Sequence, residues 1–427
     1  MRKIAPLILI TITLLFSACT LQKPSISQPK TNLTYWGLWE TSEIIQPIID
    51  DYQKEHPNVV IKYEWQNQNQ YRQRLESALQ KEGGPDIFRF HNTWTPMFKN
   101  NLSPIPADIY DNKTFESTFY TVAQKDLRSE GSYIGIPLEI DTLVLYYNEN
   151  LLRSAGITNP PTTWKELEDQ ALKIRSPKGF GKIDIAGAAL GNASNVDHWS
   201  DIISLMIMQT GANPKNPSGT EAESALTYYT YFTKVQSVWD DSLDNSTLAF
   251  AKEKLGFYFG PSWRYFEIKN INPNLKFSIS PVPQLETTKV NYASYWAEGV
   301  NKLSKNSKEA WDFLKYLSSK PVMRKLYDLE ASLGKRAFGE PPSRVDMKED
   351  FVNDKEVSVI LSQADSADSF FAASFTHDGE TGLNSRVIKY FEDAINSVLQ
   401  GKTSTEAVST LNSGLSQVLP TYGIPIQ

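Results

Sequence analysis

From residue 32 onward, apolar and polar positions switch repeatedly between the rhythm of a strand and that of a helix. Residues 32–39, which contain LTYWGLW, read as a strand. Glu40, Thr41 and Ser42 lead into a helix reaching Lys54, and Pro57 stops it. A second strand, VVIKYEW at 59–65, precedes a helix at 71–81 with Leu75, Ala78 and Leu79 on one face. Gly83, Gly84 and Pro85 break that helix, and Asp86, Ile87 and Phe88 start a third strand. Strands alternating with helices predict an α/β fold, a mainly parallel sheet covered by helices. Ligands of such sheets bind beyond the C-terminal strand ends, so residues 36–40 and 89–94 are candidates.

Leu143, Val144, Leu145, Tyr146 and Tyr147 form an unbroken apolar run that suits a strand covered on both faces. Glu139 and Asp141 precede it two residues apart, so in extended chain their carboxylates share a side and repel. Water or a hydroxyl-rich ligand would relieve that repulsion, and so would a helix cap or an Arg partner. Thr163 and Glu166 form a capping box behind Pro160 and Pro161. Helices at 199–209 and 224–238, the strand Phe257-Tyr258-Phe259 and a strand at 277–283 build a second lobe. Residues 295–303 return to the first, followed by a helix at 307–317; helices at 384–399 and 405–415 come last. The stretch 337–350, rich in Pro and charge, is expected to carry the final crossing.

The run IPLEIDTLVLYYNENLLRSAGITNPPTTWKEL resembles the interlobe crossing of extracellular solute-binding proteins of carbohydrate ABC importers, the group that includes the maltodextrin-binding proteins. DYQKEHPNVVIKYEW, GGPDIF, AFAKEKLGFYFGPSW and EGVNKLSKNSKEAWDFLKYLSS match in order, so the resemblance covers roughly residues 31–420. It implies two lobes of the periplasmic-binding-protein type II kind, each a mainly parallel sheet covered by helices, joined by several hinge crossings. The expected division is 32–138 and 295–340 for the first lobe, 139–294 and 341–427 for the second. A monomer that captures a sugar by hinge closure and hands it to membrane permease subunits is the implied function. Glu139 and Trp263 match sugar-contacting positions, and 89–92 fall in a contact loop, with Asn92 where a carboxylate is expected. A non-sugar solute such as a polyol phosphate, or a lipid-anchored glycoside hydrolase, remains an alternative.

A chain of 427 residues exceeds one ordinary core, which agrees with two lobes. Arg2 and Lys3 followed by an apolar run to Phe16 read as an export signal rather than a spanning helix. The sequence LFSAC places the sole cysteine, Cys19, where a bacterial lipoprotein is cut and lipidated, and residues 19–31 read as a tether. The protein is therefore expected at the outer face of the cytoplasmic membrane, held by lipid. Removal of residues 1–18 leaves 41 basic against 49 acidic side chains, a charge of −8. Scattered Lys and Arg argue against a nucleic-acid partner.

Sugar binding calls for flat aromatic faces and for acceptors of hydroxyl hydrogens. Trp36, Trp39 and Glu40 follow the first strand; Arg89, His91, Asn92 and Trp94 follow the third; Glu139 and Asp141 stand at the crossing. The second lobe offers His198, Trp199, Trp263 and Arg264, and the return offers Tyr295, Trp296 and Glu298. Trp164 and Trp311, in helix settings, are expected in the cores. Residues 375–384, FTHDGETGLN, read as a solvated connection. Glu139 with Asp141 or Glu298 is the only carboxylate pairing suggestive of a glycosidase. No nucleophile motif, phosphate loop or metal spacing accompanies it, so neither catalysis nor a cofactor or metal is expected.

Overall fold

The computed structural model describes residues 30–179, 182–286, 288–334 and 336–426. The export signal, Cys19 and the tether up to residue 29 lie outside the described residues. Strands β1 (Thr31–Gly37), β2 (Val59–Trp65) and β3 (Ile87–His91) are linked by helices α1 (Ser42–Glu55) and α2 (Tyr71–Leu79), as the alternating pattern predicts. They are followed by β4 (Ile136–Pro137), β5 (Val144–Asn148), β6 (Ser176–Gly179), β7 (Lys182–Ala188), β8 (Leu255–Gly260), β9 (Phe277–Ser280) and β10 (Trp296–Val300). Two five-stranded sheets result, ordered β2-β1-β3-β10-β4 and β9-β5-β8-β7-β6.

The two-lobed α/β class holds, but the sheets are mixed. β1 pairs parallel with β2 and β3, whereas β10 runs antiparallel to β3 and β4. In the second sheet only β8 and β7 are parallel; β5 opposes both its neighbours and β6 opposes β7. The cause is connectivity: β5 and β10 arrive from the other lobe and enter against the local direction. β5, the unbroken apolar run, lies between two strands with Val144, Leu145 and Tyr146 wholly buried. The capping box forms at Thr163 and Glu166 and starts the helix Trp164–Ile174.

Each sheet has its own core. Leu33, Ile48, Phe88 and Trp311 belong to one, and Leu145, Trp164, Phe257 and Leu415 to the other. The chain crosses between Ile140 and Leu143 and again between Tyr292 and Ala293. The crossings are laced together: Leu143 N donates to Tyr292 O at 2.9 Å, and Ser294 N to Asp141 O at 3.1 Å. A short parallel pairing of Asn291–Tyr292 with Ala367–Asp368 adds the third crossing beside them. That last crossing therefore lies near 367–370, not at 337–350. Met347 and Phe351, four residues apart, and Val357 and Leu361, also four apart, turn their apolar side chains into the first core. The stretch 341–366, assigned by sequence to the second lobe, contributes these residues to the first.

Candidate functional site

A cavity of about 440 Å³ lies between the lobes, walled by both. Trp39 reaches it two residues past β1, His91 as the last residue of β3 and Trp296 as the first of β10. Glu139 and Asp141 face it from the crossing; Trp263 and Arg264 come from the turn after β8, and His198 from the start of the helix Trp199–Gln209. Eight of the residues picked out by sequence thus meet at one place, at strand ends and a crossing.

Their partners set what each can do. Asp141 accepts from Ser262 N at 3.0 Å and Ser262 Oγ at 2.9 Å, which ties the crossing to the turn that carries Trp263. Burial and the nearby Glu340 push the Asp141 carboxyl up to about 7, against the pull of those donors. Burial and Glu340 also raise Glu139 well above the carboxylate range. Its Oε1 receives Trp296 N at 3.3 Å, a long contact that leaves acceptor capacity facing the cavity. Arg264 Nε donates to His198 Nε2 at 2.9 Å, so the imidazole proton sits on Nδ1, 2.8 Å from Ser374 Oγ and 3.0 Å from Asp201 Oδ2. Burial keeps His198 neutral by lowering its pKa. Burial with the adjacent His377 takes His91 down to about 3. The Arg264 guanidinium is stacked between Trp263, 4.3 Å from the ring centre, and Phe375 at 4.4 Å.

The other eight candidates do not line this cavity. Arg89 lies in the middle of β3, one alternation short of His91, and its side chain is 3% exposed. Its Nη1 donates to Glu40 and its Nε to Glu298 Oε1, both at 2.6 Å, forming a buried ionic triad within the first lobe. Glu298, the more distant of the carboxylates considered for catalysis, is held in that triad. Trp94 follows β3 through a tight turn that tucks it into the first core against Phe98. Asn92 donates to Asp126 Oδ2 at 2.8 Å, as does the Tyr295 hydroxyl at 2.9 Å. Asn92 and Asp126 line a separate cavity of about 590 Å³. Trp36 packs half-buried against the first core, with Nε1 donating to Glu64 at 2.8 Å. Trp199 packs half-buried on the second core.

The cavity also includes residues that the sequence did not single out. Arg336 and Glu340 pair with each other on its wall, Glu340 from the stretch whose Pro and charge content suggested a crossing and Arg336 from just before it. Phe375 and His377 come from the loop read as a solvated connection, and Ser374 directly precedes it. His377 stands 6.1 Å from Trp39, and Phe375 5.7 Å from Trp263. The placing of two aromatic rings in a polar, Gly-broken loop was the available signal. Among the described residues no group of His, Cys, Asp or Glu is arranged to hold a metal ion.

Two lobes with separate cores, laced crossings between them and an interlobe cavity that gathers eight aromatic, charged and imidazole side chains from both define a two-lobed ligand-capturing protein. The family model for bacterial extracellular solute-binding proteins matches residues 39–324, and the chain belongs to that family. A binding protein of Brucella abortus (strain 2308) is 24% identical over 305 residues, covering 69% of this chain and 73% of that protein. The multiple sugar-binding protein of Streptococcus mutans is 23% identical over 358 residues, covering 78% and 82%. The solved cyclic alpha-maltosyl-1,6-maltose binding protein of Arthrobacter globiformis shares the fold with a TM-score of 0.74 at 18% identity, over 92% of this chain and 100% of that one.

Proposed function

We propose that this chain captures a neutral sugar or oligosaccharide between its lobes and presents the closed form to an ABC importer. The observation that carries the reading is the composition of the cavity. Trp39 and Trp296 on one lobe and Trp263 on the other supply ring faces, and Glu139, Gln68 and Ser294 supply hydroxyl partners among them. Its volume of about 440 Å³ fits a small-molecule cleft of roughly 300–1,000 Å³. The two guanidinium groups on its wall, Arg264 and Arg336, already hold Glu267 and Glu340, which disfavours a phosphate-bearing solute. Relatives and fold neighbours named for sugars support the same reading. Binding draws on hinge closure, since contacts from both lobes coexist only when the lobes meet.

A thermal-shift screen over neutral glycans, with glycerol 3-phosphate alongside, tests it. A ligand at 100 times its Kd adds about 2.7 kcal/mol of stability. At least one glycan is expected to raise Tm and to be recovered intact; a shift with glycerol 3-phosphate alone, or steady hydrolysis, would refute the proposal. Anchoring through a lipidated Cys19 belongs to the same reading, because several acyl chains give stable attachment at about 0.8 kcal/mol per buried methylene. Mass spectrometry of the mature N-terminus is expected to find a diacylated or triacylated Cys19; cleavage elsewhere with Cys19 unmodified would remove the anchor.

A further inference from the structure

The loop that places Phe375 and His377 in the cavity goes on to touch the opposite lobe. Its far end leads into the helix Leu383–Leu399, whose Leu383 and Val387 lie in the second core. Arg72, by contrast, stands on α2 of the first lobe beside Tyr71 and Leu75, which lie in the first core. Arg72 Nε donates to Asp378 O at 2.5 Å and Nη2 to Thr381 Oγ1 at 2.9 Å. A second interlobe link lies beside it, where Asn384 Nδ2 donates to Thr93 Oγ1 at 2.8 Å.

The loop is built to hold this shape. Asp378 accepts from Asn384 N and Ser385 Oγ, both at 2.6 Å, which fastens the loop to the start of its own helix. Ser374 N donates to Asp201 Oδ1 at 2.8 Å and fixes the other end. Between these anchors Phe375 and His377 adopt φ of 54° and 55°, a left-handed backbone that L side chains avoid unless their surroundings impose it. Phe375 is 43% exposed even so. The ring rests on Arg264, Trp263 and His198, and the part left exposed stands at the cavity, where a solute can cover it.

We propose that residues 374–381 form a strap that faces the captured solute through Phe375 and His377 and clasps the first lobe at Arg72, so that one segment couples solute occupancy to lobe closure. The inference rests on the cleft being the solute site. Arg72 does not line the cavity, so its contribution to affinity passes wholly through the closed population.

Closure can be read directly. Cys19 is the only cysteine, so a full chain carrying Cys19→Ser, Lys81→Cys and Lys402→Cys takes one spin label on each lobe at exposed positions. Pulsed electron resonance then gives the lobe-to-lobe distance distribution, without ligand and with maltotriose. Arg72→Met keeps the apolar stem and removes the donors. Loss of charge-assisted hydrogen bonds is expected to cut the ratio of short to long distances by at least about tenfold. Thr381→Val is expected to cut it less, and Arg72→Lys to restore part of it. Wild-type distributions in both Arg72→Met and Thr381→Val, in both arms, overturn the clasp, as does a wild type with only the long distance in both. Circular dichroism checks folding; if Arg72→Met misfolds, the distances in Thr381→Val alone decide, and a wild-type distribution there overturns the clasp. Maltotriose that binds no variant counts against the sugar reading, while the ligand-free arm still decides the clasp.

Discussion

Arg89→Met is expected to lower the stability of the protein by about 3–5 kcal/mol at pH 7.5, although Arg89 lies outside the cavity. The change leaves Glu40 and Glu298 buried beside each other with no cation between them. Glu298 is fully buried, and among the described residues besides Arg89 only the Tyr35 hydroxyl, a neutral donor, stands by to steady its carboxylate. Burial already raises the Glu298 pKa, and Arg89 is the chief influence lowering it. In the variant that opposing pull is gone and the folded pKa rises further above its unfolded value. A group shifted in this direction favours folding at low pH and loses that contribution as pH rises through its folded pKa. The deficit should therefore be smaller at pH 5 than at pH 7.5. Adding Glu40→Gln and Glu298→Gln should recover most of it, because a fully neutral site no longer holds an unpaired charge. Chemical denaturation of the single and triple variants at the two pH values decides the matter. A single variant within about 1 kcal/mol of wild type would mean that the triad does not hold the first lobe together.

The same residue shows where a one-dimensional reading stops. Near-neighbour signals translate well: the Thr163 and Glu166 capping box, the apolar run of β5 and the helix breaks at Pro57 and Gly83 depend on residues a few positions apart. Arg89 reads as a strand-end residue only if the strand stops after Phe88, yet β3 continues to His91. Three residues of added strand move Arg89 from the rim to the interior and leave His91 at the cleft. Trp36 and Trp39 differ in the same way, one pairing within β1 against Glu64 and the other beyond its end.

Contacts between distant segments are not legible in one dimension. Local spacing shows Asp141 as a carboxylate in need of relief, but its partner is Ser262, 121 residues away. The final crossing is misplaced because Pro and charge dominate 337–350, while the spaced apolar residues that commit 345–366 to the first core are few. The strap escapes for a related reason. Its Gly, Asp and Thr resemble those of any solvated loop, and only the approach of Arg72, 306 residues earlier in the chain, gives them a second role.

Trp263→Ala is expected to weaken glycan binding by about thirtyfold or more, the effect of removing a central aromatic anchor worth at least about 2 kcal/mol. Trp263 is half-buried on the second-lobe wall, so its ring is available to the cavity without being part of the core. Arg264 rests on the ring at 4.3 Å, and His198 and Phe375 meet it edge-on at 5.7 Å. Those neighbours fix the ring before solute arrives, which keeps the entropy cost of binding low. Trp263→Phe, which retains a smaller face, should lose less. Trp164→Ala is the control: its ring is buried, stacked 5.6 Å from Phe259, with Nε1 donating to Gln209 Oε1 at 2.6 Å. That variant should lose about 3–5 kcal/mol of stability yet bind normally once folded. Calorimetry with the glycan that gives the largest thermal shift compares the three. Wild-type affinity in Trp263→Ala would show that the solute sits elsewhere, and a matching loss of affinity in folded Trp164→Ala would show that the effect comes from a loosened lobe rather than a lost ring.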